Sequence, residues 1–172
     1  MKNLFIILVV FTFSLFSCRN QSNNNTSSGG RGHRANMIET NKYLITKDRE
    51  LILNYCERKG IEATETATGL WYSVKSPGTG PLIKDGDMIT FEYDCWLLDG
   101  TLCYSSSTTG PSTTRFGYST MESGLLEGIK LMRRGSEYTF IIPPYLAHGV
   151  PGDGNRIPGR SVIVYRIKIL PD

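Results

Sequence analysis

The chain has 172 residues, 40% of them hydrophobic, with 19 Lys and Arg against 16 Asp and Glu. That length accommodates one domain and an appendage, and a formal net charge of +3 offers no electrostatic footprint for nucleic acid. Four cysteines in no C-x-x-C or zinc spacing, with only His33 and His148 to join them, give no expectation of a structural metal.

The amino-terminal stretch MKNLFIILVVFTFSLFSC joins a cationic start at Lys2 to an uncharged apolar run from Leu4 to Phe16. It is short for a membrane span and ends on a small residue, Ser17, before Cys18. The ending Leu15-Phe16-Ser17-Cys18 resembles the lipobox of bacterial lipoproteins, which implies a signal peptide over residues 1–17 and lipidation of Cys18. Removing that peptide takes away only Lys2, leaving 18 Lys and Arg against 16 Asp and Glu. Acyl chains on Cys18 would tether the protein to a membrane without spanning it. The stretch RNQSNNNTSSGGRGHRA that follows is almost devoid of apolar residues. It predicts a flexible tether over residues 18–38, with His33 solvated.

Residues 39–68 are predicted as a helical segment. In TKDRELILNYCERKG, Thr46 can cap a helix, Leu51, Ile52, Leu53 and Tyr55 cover one broad face, Cys56 is packed, and Gly60 stops the run. From Gly69 the rhythm changes to strand and turn. GLWYSVKSPGTG predicts a strand ending in a Pro-Gly turn. DMITFEYDCWLLDGTLCYSS alternates apolar residues on both sides of Asp99-Gly100, a strong hairpin signal. Beyond Cys18 the cysteines are Cys56, Cys95 and Cys103; their odd number leaves a free thiol, and a Cys95–Cys103 bridge across the hairpin stays open. In MESGLLEGIKLMRRG, Leu125, Leu126, Ile129 and Met132 recur at helical spacing and predict one short helix closed by Gly135. SEYTFIIP and SVIVYRIKIL are two more strands. In the second, Val162, Val164, Arg166 and Lys168 alternate with Ile163, Tyr165, Ile167 and Ile169. About five strands around one short helix make an α+β domain with a single core, over residues 69–172.

Conventional group-transfer chemistry finds no support in these residues, and no cofactor is implied. There is no G-x-S-x-G, one usable histidine remains, and Glu122 and Glu127 fall on different faces of the short helix. GVPGDG is followed by no helix that would offer its N-terminus to a phosphate. What the chain does offer is aromatic: Tyr93, Trp96, Tyr104, Phe116, Tyr138, Phe140 and Tyr165 all lie in or beside predicted strands, where most are expected to be core.

Three stretches, YDCWLLDGTLCYSS, GLLEGIKLMRRGSEYTFIIPPYLAHG and IPGRSVIVYRIKIL, occur in the order and spacing of the FKBP-type peptidyl-prolyl isomerases, which residues 69–170 resemble. With the upstream helix and lipobox, the chain is similar to the gliding-motility-associated FKBP lipoproteins of Bacteroidota. The resemblance implies an antiparallel half-barrel sheet curled around the short helix, with an apolar pocket between them. It implies that Tyr93 and Tyr165 are the first and last pocket aromatics, and that Met121 and Glu122 precede the helix. The Glu122 backbone N–H is expected to bind a substrate carbonyl while its side chain points out. Leu125 takes the pocket floor, His148 the place of the loop tyrosine, and Ile157 that of the isoleucine before the I-P turn. Tyr93, His148 and Tyr165 are the implied catalytic residues. Two departures stand out: the family's Phe-Asp pair after the hairpin is Cys103-Tyr104, and a bulky aromatic near residue 112 is replaced by Ser and Thr. They remove a polar contact used by macrolide inhibitors and widen the pocket unless Tyr104 swings in, so neither macrolide affinity nor full activity is implied.

The implied activity is isomerisation of X-Pro bonds in unfolded or partly folded client proteins. A binding module of the same fold with little activity, and a component of a gliding or secretion machine, are the alternatives. Because no acidic cluster follows Cys18, the expected location is the outer membrane, facing the periplasm.

Overall fold

The computed structural model describes the backbone of residues 29–171 and the side chains from Arg34 onward. The expected signal peptide over residues 1–17, Cys18, the first part of the expected tether and the His33 side chain lie outside the described residues. The chain falls into two compact units, residues 1–41 and 42–172. Helix α1 (Gly29–Lys59) starts well before residue 39, so residues 29–38 are helical where composition predicted a tether. Thr46 is not its cap. It lies inside the helix, and its Oγ1 donates to the Lys42 carbonyl one turn back at 3.0 Å. A threonine can serve either purpose, which is why the capping signal misleads here. Among the described residues no helix is long and apolar enough to cross a membrane.

Within the second unit α1 buries Asp48, Ile52, Tyr55 and Cys56, a stripe at helical spacing. Leu51 and Leu53, expected on the same face, are exposed. Neighbouring helix positions diverge by about 100°, so a run of four apolar residues cannot all face one way.

The strands are β1 (Thr64–Glu65), β2 (Trp71–Ser76), β3 (Met88–Leu97), β4 (Leu102–Ser105), β5 (Ser112–Arg115), β6 (Glu137–Ile142) and β7 (Ile163–Ile169). They form one antiparallel sheet in the order β1-β2-β6-β7-β3-β4. The long β3 shares its outer edge, giving residues 94–96 to β4 and 88–91 to β5. The seven strands exceed the five expected because β1 and β5 are short and polar and carry no apolar alternation. Strand β5 is joined to β3 by its backbone and by a 2.9 Å hydroxyl contact between Thr90 and Thr113. A single helical turn, α2 (Ser106–Thr109), precedes it.

Helix α3 (Ser123–Lys130) fills the concave face. Gly124 and Gly128, one turn apart, set its distance from the sheet. A Cβ on Gly124 would lie 2.5 Å from Ile142 Cγ2, and one on Gly128 would lie 2.6 Å from Phe140 Cε1. The helix ends at Lys130, and Gly135 belongs instead to the turn before β6 with φ 77. Strand β7 is central and buried on both sides at one end. Ile163, Tyr165, Ile167 and Ile169 join the core around α3, while Val162 and Val164 pack with Ile52, Tyr55, Cys56, Trp71 and Ile141. Past Tyr165 the second face is open, and Arg166 and Lys168 pair there with Asp94 and Glu92.

Phe140 is fully buried and has no room to retreat, so Gly128→Ala should overpack this contact. Overpacking costs about 1–3 kcal/mol, more than the roughly 1 kcal/mol that alanine returns in helix propensity. Urea denaturation should therefore show Gly128→Ala less stable than wild type, whereas a gain would mean that the helix and sheet separate easily.

Candidate functional site

The register of β3 and β7 creates the centre of the site. Cys95 faces Tyr165 and Tyr93 faces Ile167, so Tyr93 and Tyr165 are diagonal neighbours on the concave face. Their rings lie 6.4 Å apart with a 53° tilt, and Phe91 stands 5.9 Å beyond Tyr93. Below them Cys95, Cys103, Leu125, Ile157 and Tyr165 are buried in one cluster. Tyr93, Tyr104 and Met121 pack against it while half-buried. The sequence-expected residues therefore come together as a dry floor with a partly open rim.

The lip differs from expectation. Glu122 has φ −59 and ψ 141 just before α3, and its side chain turns in rather than out. Its Oε1 accepts a 3.3 Å hydrogen bond from the Tyr165 hydroxyl and lies 2.9 Å from His148 Nε2. The His148 ring N–H is not aimed along that line, so Nε2 is shielded from solvent without a hydrogen bond. Burial, with the Glu122 carboxylate and the Cys95 thiol beside it, pushes the Tyr165 hydroxyl well above its ordinary range and keeps it a donor. The physical reason for the inward turn is local: the carboxylate finds a buried donor on β7, which an outward rotamer would leave unpaired.

The loop from Ala147 to Ser161 closes over this lip as a compact flap. The Arg160 N–H meets the Gly149 carbonyl at 2.8 Å, and the Arg160 guanidinium contacts both oxygens of Asp48 on α1 at 3.0 Å. Inside the flap Asp153 Oδ1 accepts from the N–H groups of Asn155 and Ile157, both at 2.8 Å. Its Oδ2 accepts from the Tyr104 hydroxyl. Gly152 permits the turn, since a Cβ there would lie 2.3 Å from the Ile157 carbonyl oxygen. Burial raises the Asp153 carboxyl, but the Tyr104 hydroxyl, the two N–H groups and His148 outweigh it and hold it at about 2.

Tyr104 thus leans toward the flap, and the carboxylate missing from position 104 is met by one supplied from position 153. Arg156 completes the clasp. It donates to the Cys103 carbonyl at 2.8 Å, and its guanidinium lies 5.6 Å from the Tyr104 ring centre. Asp153 and Arg156 were missed in the sequence, although an Asp between two glycines is itself a turn signal.

The two thiols near the pocket are free and buried. Burial pushes Cys95 up to about 12, with only the Tyr165 hydroxyl opposing, and burial raises Cys103 as well. A thiol that stays protonated is a poor nucleophile. A cleft of about 400 Å³ is lined by Glu92, Tyr93, Asp94, Glu137, Arg166 and Lys168, among others, so it borders the site at Tyr93. Its charged side chains, on the opposite face of the sheet from Leu125 and Ile157, are paired: Arg166 with Asp94, Lys168 with Glu92, and Glu137 with Lys75.

A half-barrel sheet wrapped on a short helix, with an aromatic pocket under a flap, defines a class of protein that comparison identifies. The chain belongs to the FKBP-type peptidyl-prolyl cis-trans isomerase family, whose model matches residues 80–170. It is 35% identical over 124 residues to the isomerase FkpA of Aeromonas hydrophila, covering 72% of this chain and 45% of the relative. It is 32% identical over 127 residues to FkpA of Escherichia coli K12, covering 72% and 44%. The chain spans less than half the length of these curated relatives. The crystal structure of Escherichia coli FkpA superposes with a TM-score of 0.62 at 27% identity, covering 99% of this chain and 81% of that one. The structure of AtFKBP13 gives a TM-score of 0.61 at 31% identity, covering 64% and 98%.

Because the Asp153 carboxyl is depressed in the folded protein, its contribution is fully present above the ordinary value of 3.8 and is lost as pH falls toward about 2. Amide exchange at Ile157, whose N–H it holds, should quicken relative to core amides across that window. Asp153→Asn should remove the relative change; its persistence in that variant would assign the pH dependence elsewhere.

Proposed function

We propose that this protein catalyses cis–trans isomerisation of X-Pro bonds in unfolded or partly folded client proteins. The observation that carries the reading is the Tyr93–Tyr165 pair over a buried floor, at the N-terminus of α3. Rotation about an X-Pro bond meets a barrier of about 18–20 kcal/mol because the C–N bond is partly double. No proton transfer or covalent step is needed; holding the twisted amide better than either planar form suffices. The twisted amide has lost conjugation and part of its dipole, so a dry pocket penalises it less than the planar forms. Tyr93, Leu125, Ile157 and Tyr165 grip the proline ring. The Glu122 backbone N–H, which no acceptor among the described residues takes, holds a flanking carbonyl.

The lipobox supports anchoring through Cys18 to a bacterial membrane, and the residues after it favour the periplasmic side, where the clients are periplasmic or outer-membrane chains. The alternative is a binding module with little isomerase activity. One observation favours it: His148 Nε2 is shielded from solvent beside Glu122, so that nitrogen brings no second donor to the substrate.

The test is the exchange rate of a proline peptide with catalytic amounts of the protein. Wild type should accelerate it. Truncating an aromatic that buries against the proline removes about 1.5–3 kcal/mol, so Tyr165→Ala should cut kcat/KM about ten- to hundredfold. Tyr93→Ala, at a half-exposed and less structural position, should lower it in the same direction. No acceleration by the folded wild type would leave the binding-module reading in its place.

A further inference from the structure

The inward Glu122 carboxylate is unusual furniture for a pocket whose proposed work is to hold an uncharged ring. Only Oε1 is engaged, by the Tyr165 hydroxyl, with His148 Nε2 2.9 Å away, and Oε2 has no partner among the described residues. A second carboxylate, Asp153, borders the same space from the flap, and both act electrostatically on the Cys95 thiol. Cationic side chains do not balance them. Arg156 is turned onto the Cys103 carbonyl and the Tyr104 ring, and Arg160 is committed to Asp48. The mouth of the pocket therefore carries two carboxylates, one of them with a free oxygen at the N-terminus of α3.

We propose that the Glu122 side chain selects client segments carrying a lysine or arginine beside the proline. The inference rests on this pocket being the X-Pro site, and it adds a substrate class to that reading. A cationic side chain lying along the lip reaches Oε2 while the proline ring sits on the floor. A glutamate in the same position meets two like charges. An apolar residue gains neither effect and falls between. Attraction in this half-buried setting is much reduced by desolvation, so the discrimination is modest, about three- to tenfold between lysine and glutamate.

The experiment uses the full chain in detergent micelles and two peptide series, with Lys, Leu or Glu placed before the proline or after it. Exchange rates give kcat/KM, and titration gives dissociation constants. The expected result is a Lys-over-Glu ratio of about three- to tenfold in at least one series, compressed by high salt. In Glu122→Gln that ratio should fall at least halfway toward one, Asp153 supplying the remainder. A wild-type ratio near one in both series overturns the inference, as does a preference that survives unchanged in Glu122→Gln. Should that variant not fold, the wild-type ratio and its salt dependence decide. If no peptide is isomerised, the isomerase reading fails by itself, and the ratio of dissociation constants still decides whether Glu122 selects cations.

Discussion

A helix eight residues long fills a curled sheet only when its backbone comes close, and Gly124 and Gly128 set that distance against Ile142 and Phe140. Much else follows from the approach. It drops Leu125 and Ile129 into the core and leaves the residues just before the helix, Met121 and Glu122, beside β7. A bulkier residue at either glycine would lift the helix and with it the lip of the pocket. The four-residue spacing of Gly124 and Gly128 is thus a packing requirement that also positions the residues before the helix.

The second support comes from the other face of the sheet. Helix α1 covers one end through Ile52, Tyr55 and Cys56, and its buried Asp48 fastens Arg160 at the base of the flap. Burial raises the Asp48 carboxyl despite that guanidinium, so the pair is a geometric fastening more than a source of stability. The flap is tied a second time at its tip, where Asp153 gathers two backbone N–H groups and the Tyr104 hydroxyl. With its glycines folded into these contacts, the flap is a formed wall of the pocket. The histidine on it belongs to that wall, with Nε2 beside the Glu122 carboxylate.

The alternation in SVIVYRIKIL and the Asp99-Gly100 turn made β7 and the β3–β4 hairpin legible, because a strand with one buried face must repeat every second residue. The burial of Val162 and Val164 on the opposite face was not legible, since that depends on where α1 docks. Strand β5 escaped because Ser-Thr-Thr-Arg pairs through its backbone. The residues that the family resemblance names lie together around α3, but the Glu122 side chain turns in where it was expected to point out. A side chain's direction answers to whichever donor lies nearby, and Tyr165 is 43 positions away in sequence. The Tyr104–Asp153 pair was hidden for the same reason, being formed between elements 49 positions apart.

The central claim is that the surface around Tyr93 and Tyr165, under the flap, is where a proline segment binds. Backbone amide chemical shifts followed during titration with an X-Pro peptide test it most directly. Changes should concentrate at Met121–Leu125, Ala147–Gly149, Ile157 and Tyr165. Changes confined to the cleft of Glu92, Asp94, Arg166 and Lys168 on the opposite face, or no localised change at saturating peptide, would contradict it.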